Sequence, residues 1–223
     1  MVEISNPAFE ASPGILRLKL PLTHLESYGI KCQSFNGAVI DGETDEQRFL
    51  DNLKGAHRFK NHMPVCFGFL DKDWVEVIAR TDRDSDGYFV KAVDERLRQT
   101  ASPYYAFNAA CDMSLLSKLL NKEVPFHGEL QQWERQKKEY LRRDLRIPSC
   151  GDPFNGEGFL AAKEWTNYLE TSDINCVKRI MAHNFSCLST EYNILQKKGY
   201  RIIEQNSCKT FLEGKNDLVC SKV

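Results

Sequence analysis

The apolar pattern of this chain changes period as it runs, and the order of those changes limits the fold. The first part holds short apolar runs: "GILRLKLPL", in which apolar and basic residues alternate, then "FNGAVID", "PVCFGFL" and "WVEVIAR". Runs of this length bounded by Gly, Pro, Asn and Asp read as strands. Pro21 closes the first, which has the pattern of an edge strand, and "DKD" between the last two is a hairpin signal. "NLKGAHRFKNHM" is a basic, polar connection.

Helical spacing then takes over, with Phe89, Val90, Val93 and Leu97 in "RDSDGYFVKAVDERLRQT". "SPYYAFN" reads as a buried strand and "ACDMSLLSKLL" as a helix directly after it. "HGELQQWERQKKEYLRRDL" is helical in period but highly charged, and "IPSCGDPFNGEG", with two Pro and three Gly, is a loop. The stretch from "FLAAKEW" to Gly199 reads as two or more helices, with "TSD" as break and N-cap and Gly199 as the stop. "RIIEQ" is a candidate last strand. Strands first, alternation next and helices last predict an α/β fold, a mixed β-sheet flanked by α-helices.

At 223 residues the chain fits one medium domain. With 42% hydrophobic and 27% charged residues it is neither wholly disordered nor fibrous. The 30 Lys+Arg balance 31 Asp+Glu, for a net charge of −1. A protein that coats nucleic acid is normally basic, so any nucleic-acid contact is expected to be local. No two of the eight cysteines lie closer than 11 residues, so CxxC pairs are absent. The start "MVEISNPAFEASPG" has no apolar h-region, and no apolar run approaches ~18 residues. A cytoplasmic protein with reduced thiols and no membrane span is expected.

Three clusters carry possible chemistry. The first is Asp41-Gly42-Glu43 at the end of "GAVI". In a strand, residues i and i+2 share a face, so both carboxylates would converge. Converging carboxylates repel unless a cation compensates them, and hard oxygen ligands suit Mg²⁺ or Mn²⁺. A solvated polar turn is the plainer alternative. The second is "YYAFNAACDMSLL", where Asp112 follows Asn108 into the first turn of a helix, a position the helix dipole favours by itself. The third is "RIMAHNFSCLSTEYNIL". There Ile180, Met181, Phe185, Leu188, Tyr192 and Leu195 form an apolar face, leaving His183, Asn184, Cys187 and Glu191 together on another side.

In this order the clusters resemble the RNase H-like DEDD (DnaQ-like) 3′–5′ exonucleases, nearest to the YprB-like ribonuclease H-like domains. The strand ending in D-x-E-T is matched by Asp41-Gly42-Glu43-Thr44. The apolar strand running into N-x-x-F-D is matched by Asn108 to Asp112, with Cys111 in place of the aromatic. The helix with Y/H-N-x-x-D is matched by His183-Asn184-Phe185-Ser186-Cys187. The resemblance covers roughly residues 36–200.

It implies an RNase H-like domain over 36–205, an N-terminal extension or edge strand of the same domain over 1–35, and a tail over 206–223. It further implies phosphodiester hydrolysis from a single-stranded 3′ end of nucleic acid, with Mg²⁺ or Mn²⁺ held by Asp41, Glu43 and Asp112. His183 would be the general base, and Thr44, Asn108 and Asn184 the substrate contacts. The fourth family carboxylate falls on Cys187, a poor Mg²⁺ ligand. Either Glu191 or Asp173 replaces it, or the site is degenerate and binds nucleic acid or a protein partner without cutting. A redox or metal-sulfur protein using several cysteines is a further class. "HRFK" (57–60) and "QKKEYLRRDLR" (136–146) are candidate phosphate contacts, and Trp133, Tyr104 and Tyr105 are expected in the core rather than stacked on bases.

Overall fold

The computed structural model describes residues 9–45, 62–82, 86–133 and 136–202. The strands are β1 (Phe9–Ser12), β2 (Ile15–Pro21), β3 (Ala38–Thr44), β4 (Pro64–Leu70), β5 (Trp74–Arg80), β6 (Tyr104–Ala106), β7 (Gly128–Glu129) and β8 (Arg201–Ile202). They form one sheet in the order β1-β2-β5-β4-β3-β6-β7-β8. The helices are α1 (Asp86–Gln99), α2 (Ala109–Leu120), α3 (Lys138–Asp144), α4 (Phe159–Thr171) and α5 (Ile174–Lys198), with a 3₁₀ turn over Leu22–Tyr28.

The central strands β5, β4 and β3 are antiparallel neighbours, and β6 and β7 continue the sheet parallel to β3. This is the expected mixed sheet flanked by helices, and its order is consistent with an RNase H-like α/β fold. The predicted "GILRLKLPL" strand is β2, but it is not the outermost strand: β1 pairs on one side of it and β5 on the other.

β4 is buried along its whole length, as a strand covered on both faces must be. Side-chain alternation divides the core into two layers. Val39, Val75, Val77 and Ala79 pack with Ile180, Phe185 and Leu188 of α5, and Trp165 of α4. Ala38, Ile40 and Ile78 pack on the opposite face with Phe89 and Val93 of α1, and Met113 and Leu116 of α2. Two glycines allow close approaches. Gly37 has φ +104, and a Cβ there would stand 2.1 Å from the Pro103 carbonyl oxygen, the same oxygen that accepts from the Ala38 N–H where β3 meets β6. Gly68 of β4 lies under α5, where a Cβ would meet Asn184 Oδ1 at 2.0 Å and Leu188 Cδ1 at 2.4 Å.

The charged stretch "HGELQQWERQKKEYLRRDL" departs from its helical expectation. Its start forms the short strand β7, and helix begins only at Lys138. Helical spacing there came from charged residues rather than from an apolar face, and no burial backs it. The "TSD" break is as expected, with Asp173 Oδ1 accepting from the Asn175 N–H at 3.0 Å and Gly199 ending α5. No helix among the described residues is long and apolar enough to cross a membrane.

Candidate active site

Asp41 and Glu43, two apart on β3, turn toward α5. Asn184 of α5 is fully buried, and its side-chain amide donates to Asp41 Oδ2 (2.8 Å) and to the Asp41 carbonyl oxygen (3.1 Å). Asn184 therefore holds Asp41 in place instead of facing substrate as the resemblance implied. On the other side of β3, α2 opens at Asn108, whose side-chain oxygen accepts from the Cys111 N–H (3.4 Å). Asp112 sits in the first turn of α2, where its Oδ1 accepts from the Gly42 N–H at 3.0 Å. The helix-dipole placement and the approach to the first motif thus coexist in one residue.

Glu191 reaches the same place from one turn beyond Cys187. It is fully buried, and its Oε2 accepts from the Phe107 N–H at 3.2 Å. Asp173, the other candidate for the missing acid, is an exposed N-cap. Eighteen residues of α5 separate it from Glu191, roughly 27 Å of helix rise.

Lys138, at the first position of α3, enters this group. Its ammonium donates to Asp41 Oδ1 (3.0 Å) and to Glu191 Oε1. Burial opposes the charge, but Asp41 and Glu191 outweigh it and hold the Lys138 pKa well above its ordinary value. One ammonium does not balance the acids. Burial, reinforced by Asp41, pushes Asp112 well above the usual carboxylate range. Glu191 is likewise raised, by burial against the pull of Lys138. Glu43 is pushed up to about 7, by burial first, with His183 lowering it and Asp41 raising it again. Burial is the first cause of each rise, and neighbouring carboxylates add to it. Among the described residues only Glu43, His183 and Cys187 bring three ligating atoms within 4.8 Å of one another; Asp41, Glu43 and Asp112 are oxygen donors of the kind that a Mg²⁺ or Mn²⁺ ion takes. Lys138 competes with it for Asp41.

The other side of the cluster has different chemistry. His183 Nδ1–H donates to Asp152 Oδ1 at 2.7 Å, in the loop that precedes α4. Asp152 is fixed in turn by the N–H groups of Phe154 (2.9 Å) and Gly156 (2.7 Å). His183 Nε2 then lies 3.6 Å from Glu43 Oε1 and 3.7 Å from Cys187 Sγ. Glu43, His183 and Cys187 each offer one metal-ligating atom, all within 4.8 Å of one another. Burial disfavours the imidazolium, but Cys187, Glu43 and the Asp152 bond outweigh it and hold the His183 pKa well above its ordinary value.

These groups line one cavity of about 660 Å³. Asp41, Glu43, Asp112, His183 and Cys187 line it together with Asn108, and Lys137, Arg142 and Arg143 of the predicted basic run stand in its wall. That wall is partly neutralised, since Glu139 pairs with both Arg142 and Arg143 at 2.7 Å.

Comparison with protein-family models, curated proteins and solved structures finds no significant match.

Several sequence expectations change. Thr44, expected on substrate, lies instead beside His62, with Oγ1 3.1 Å from Nδ1. Trp133, expected in the core, is 62% exposed, whereas Tyr105 is buried against the Tyr200 ring. "HRFK" lies outside the described residues. Lys138, in the run expected to meet phosphate, pairs with Asp41 and Glu191 instead, and Asp152 was not among the expected site residues. The first sat within a charged run and the second in a Gly- and Pro-rich loop, where an acid normally caps its own turn.

Proposed function

We propose that the chain is a metal-dependent nuclease of the RNase H-like DEDD kind, a 3′–5′ exonuclease acting on a single-stranded 3′ end in the cytoplasm. The observation that carries this reading is the meeting of Asp41, Glu43 and Asp112 at one cavity. Glu191 supports it by bringing a fourth carboxylate from the helix on which Cys187 replaces the expected acid. Mg²⁺ or Mn²⁺, held by Asp41, Glu43 and Asp112, would supply positive charge to the attacking and leaving oxygens of the phosphodiester.

The remaining work falls to the chain's own residues. Lys137, Arg142 and Arg143 bind the phosphate backbone from the cavity wall. Asn184 keeps the Asp41 carboxylate oriented, and Asn108 meets the terminal nucleotide. His183 is the residue at which a proton moves, through Nε2, because Asp152 holds Nδ1. The negative groups around it, Cys187 and Glu43, favour the protonated imidazole.

A second reading is a degenerate module that binds nucleic acid or protein without cutting. It is favoured by the Lys138 ammonium between Asp41 and Glu191, which supplies part of the charge a cation would bring. Incubating the purified chain with 5′-labelled single-stranded DNA and RNA, with Mg²⁺ or Mn²⁺, separates the two. The nuclease reading expects stepwise 3′ shortening that Asp41→Asn and Asp112→Asn each abolish. Intact strands with either metal, on either nucleic acid, would sink it. Retained binding of those strands would then support the second reading.

A further inference from the structure

We propose that Glu43, His183 and Cys187 form a binding site for a borderline-soft divalent cation, foremost Zn²⁺, set apart in chemistry from the carboxylates around Lys138. This inference stands on its own geometry and shares Glu43 and His183 with the nuclease reading; a cation on His183 Nε2 would occupy the position of the proton that reading moves.

The spacing of the donors is the first argument. Zn²⁺ bonds to N, O and S measure about 2.0–2.3 Å in tetrahedral geometry, which places neighbouring donors roughly 3.3–3.6 Å apart. His183 Nε2 stands 3.6 Å from Glu43 Oε1 and 3.7 Å from Cys187 Sγ. Glu43 and Cys187, the third pair, lie within 4.8 Å of each other and draw together around the ion. The Nε2 to Oε1 gap is too long for a direct hydrogen bond, yet it suits a shared ion.

The surroundings supply the second argument. Asp152 Oδ1 accepts a hydrogen bond from His183 Nδ1–H at 2.7 Å and is itself held by two backbone N–H groups. That leaves Nε2 as the atom facing Glu43 and Cys187, the carboxylate–histidine–metal arrangement that orients ligating imidazoles. His183 and Cys187 are i, i+4 on α5, a helix packed into the core, so their relation is rigid.

The third argument is the open side. All three ligands line the cavity. Gly158 lies across from the imidazole, where a Cβ would stand 3.5 Å from Nε2. A glycine there leaves space for a fourth ligand, a water or a substrate oxygen, as in zinc sites with three protein ligands. The thiolate selects against Mg²⁺ and for Zn²⁺ or Co²⁺.

The test is titration of the metal-stripped full chain with Co²⁺, then Zn²⁺, followed by absorption. One equivalent of Co²⁺ should give a thiolate-to-cobalt charge-transfer band and the strong visible bands of a tetrahedral ion, which Zn²⁺ then removes. Millimolar Mg²⁺ should not. Cys187→Ser should abolish the charge-transfer band, and Asp152→Asn should keep it while weakening Zn²⁺ about 10–100-fold. Cys66→Ala, folded by circular dichroism, should retain it. Absence of the band overturns the proposal, as does its survival in Cys187→Ser or its loss in folded Cys66→Ala. These readouts are spectral, so they stand or fall separately from nuclease activity.

Discussion

Two buried charge clusters lie on this one sheet with opposite electrostatics. In the first, Arg96 of α1 reaches Asp71 at 2.6 Å and Glu76 at 3.0 Å, and Arg17 adds a second guanidinium on Glu76 at 2.6 Å. Two acids meet two bases. Burial works to raise Asp71, but Arg96 and the N–H groups of Asp73 and Trp74 outweigh it, and its pKa falls below the ordinary value. In the cavity cluster Asp41, Glu43, Asp112 and Glu191 meet one ammonium and one imidazole, and Asp112 and Glu191 rise well above it. A balanced cluster is complete as structure. An unbalanced one, opening on a cavity, retains a demand for positive charge, which is how sites differ from ion-pair networks.

Removing one cation from each cluster should separate them most strongly. Arg96→Met and Lys138→Met should each cost about 3–5 kcal/mol in urea denaturation, because each leaves buried carboxylates unpaired. Added Mn²⁺ should restore stability to the Lys138 variant and not to the Arg96 variant. If Mn²⁺ restores neither, the cavity acids are structural like the others.

A smaller effect is expected at the support of Asp41. Gly68→Ala forces a Cβ against Asn184 and Leu188, at a cost of about 1–3 kcal/mol. It should also loosen the Asn184 hold on Asp41. Asn184→Ala removes that hold directly and should weaken Mn²⁺ binding, measured by calorimetry, about 10–100-fold. Unchanged Mn²⁺ affinity in Asn184→Ala would mean that Asp41 needs no positioning.

The mildest test is pH. Asp71 has a lowered pKa, so its contribution is full above the ordinary 3.8 and is lost as the pH falls below that value. Asp71→Asn should flatten the acid limb of the stability curve. Glu43, raised from 4.5 to about 7, has the opposite sign in metal-free protein. Its protonated form is favoured by the fold, so stability declines as the pH rises from 4.5 to about 7. In chelator, Glu43→Gln should make that decline shallower, the remainder coming from Asp112 and Glu191, which are raised in the same sense. A curve that stays unchanged would place Glu43 in water rather than in the cluster.

Much of the fold was legible because apolar period is local information. The runs that became β3, β4 and β5, and the spacings that became α1, α2, α4 and α5, each carry their own burial pattern. The failure ahead of Lys138, in the stretch 127–145, has the same cause: a charged run has helical spacing without a face to bury. In the site, Asp41, Glu43 and Asp112 were legible as strand-end and helix-start acids, and Glu191 as one turn past Cys187. Lys138 and Asp152 were not. Lys138 acts on Asp41 and Glu191 across 97 and 53 residues of chain, and Asp152 on His183 across 31.

By itself, then, the sequence determined the order of strands and helices and which acids stand at their ends, since backbone periodicity places side chains on a face within a few residues. Long-range packing put Lys138 between Asp41 and Glu191. It also decided that Cys187 stands with His183 and Glu43 rather than leaving a gap. Charge balance and ligand geometry depend on distances of a few ångströms between segments far apart in the chain, and no local pattern encodes those.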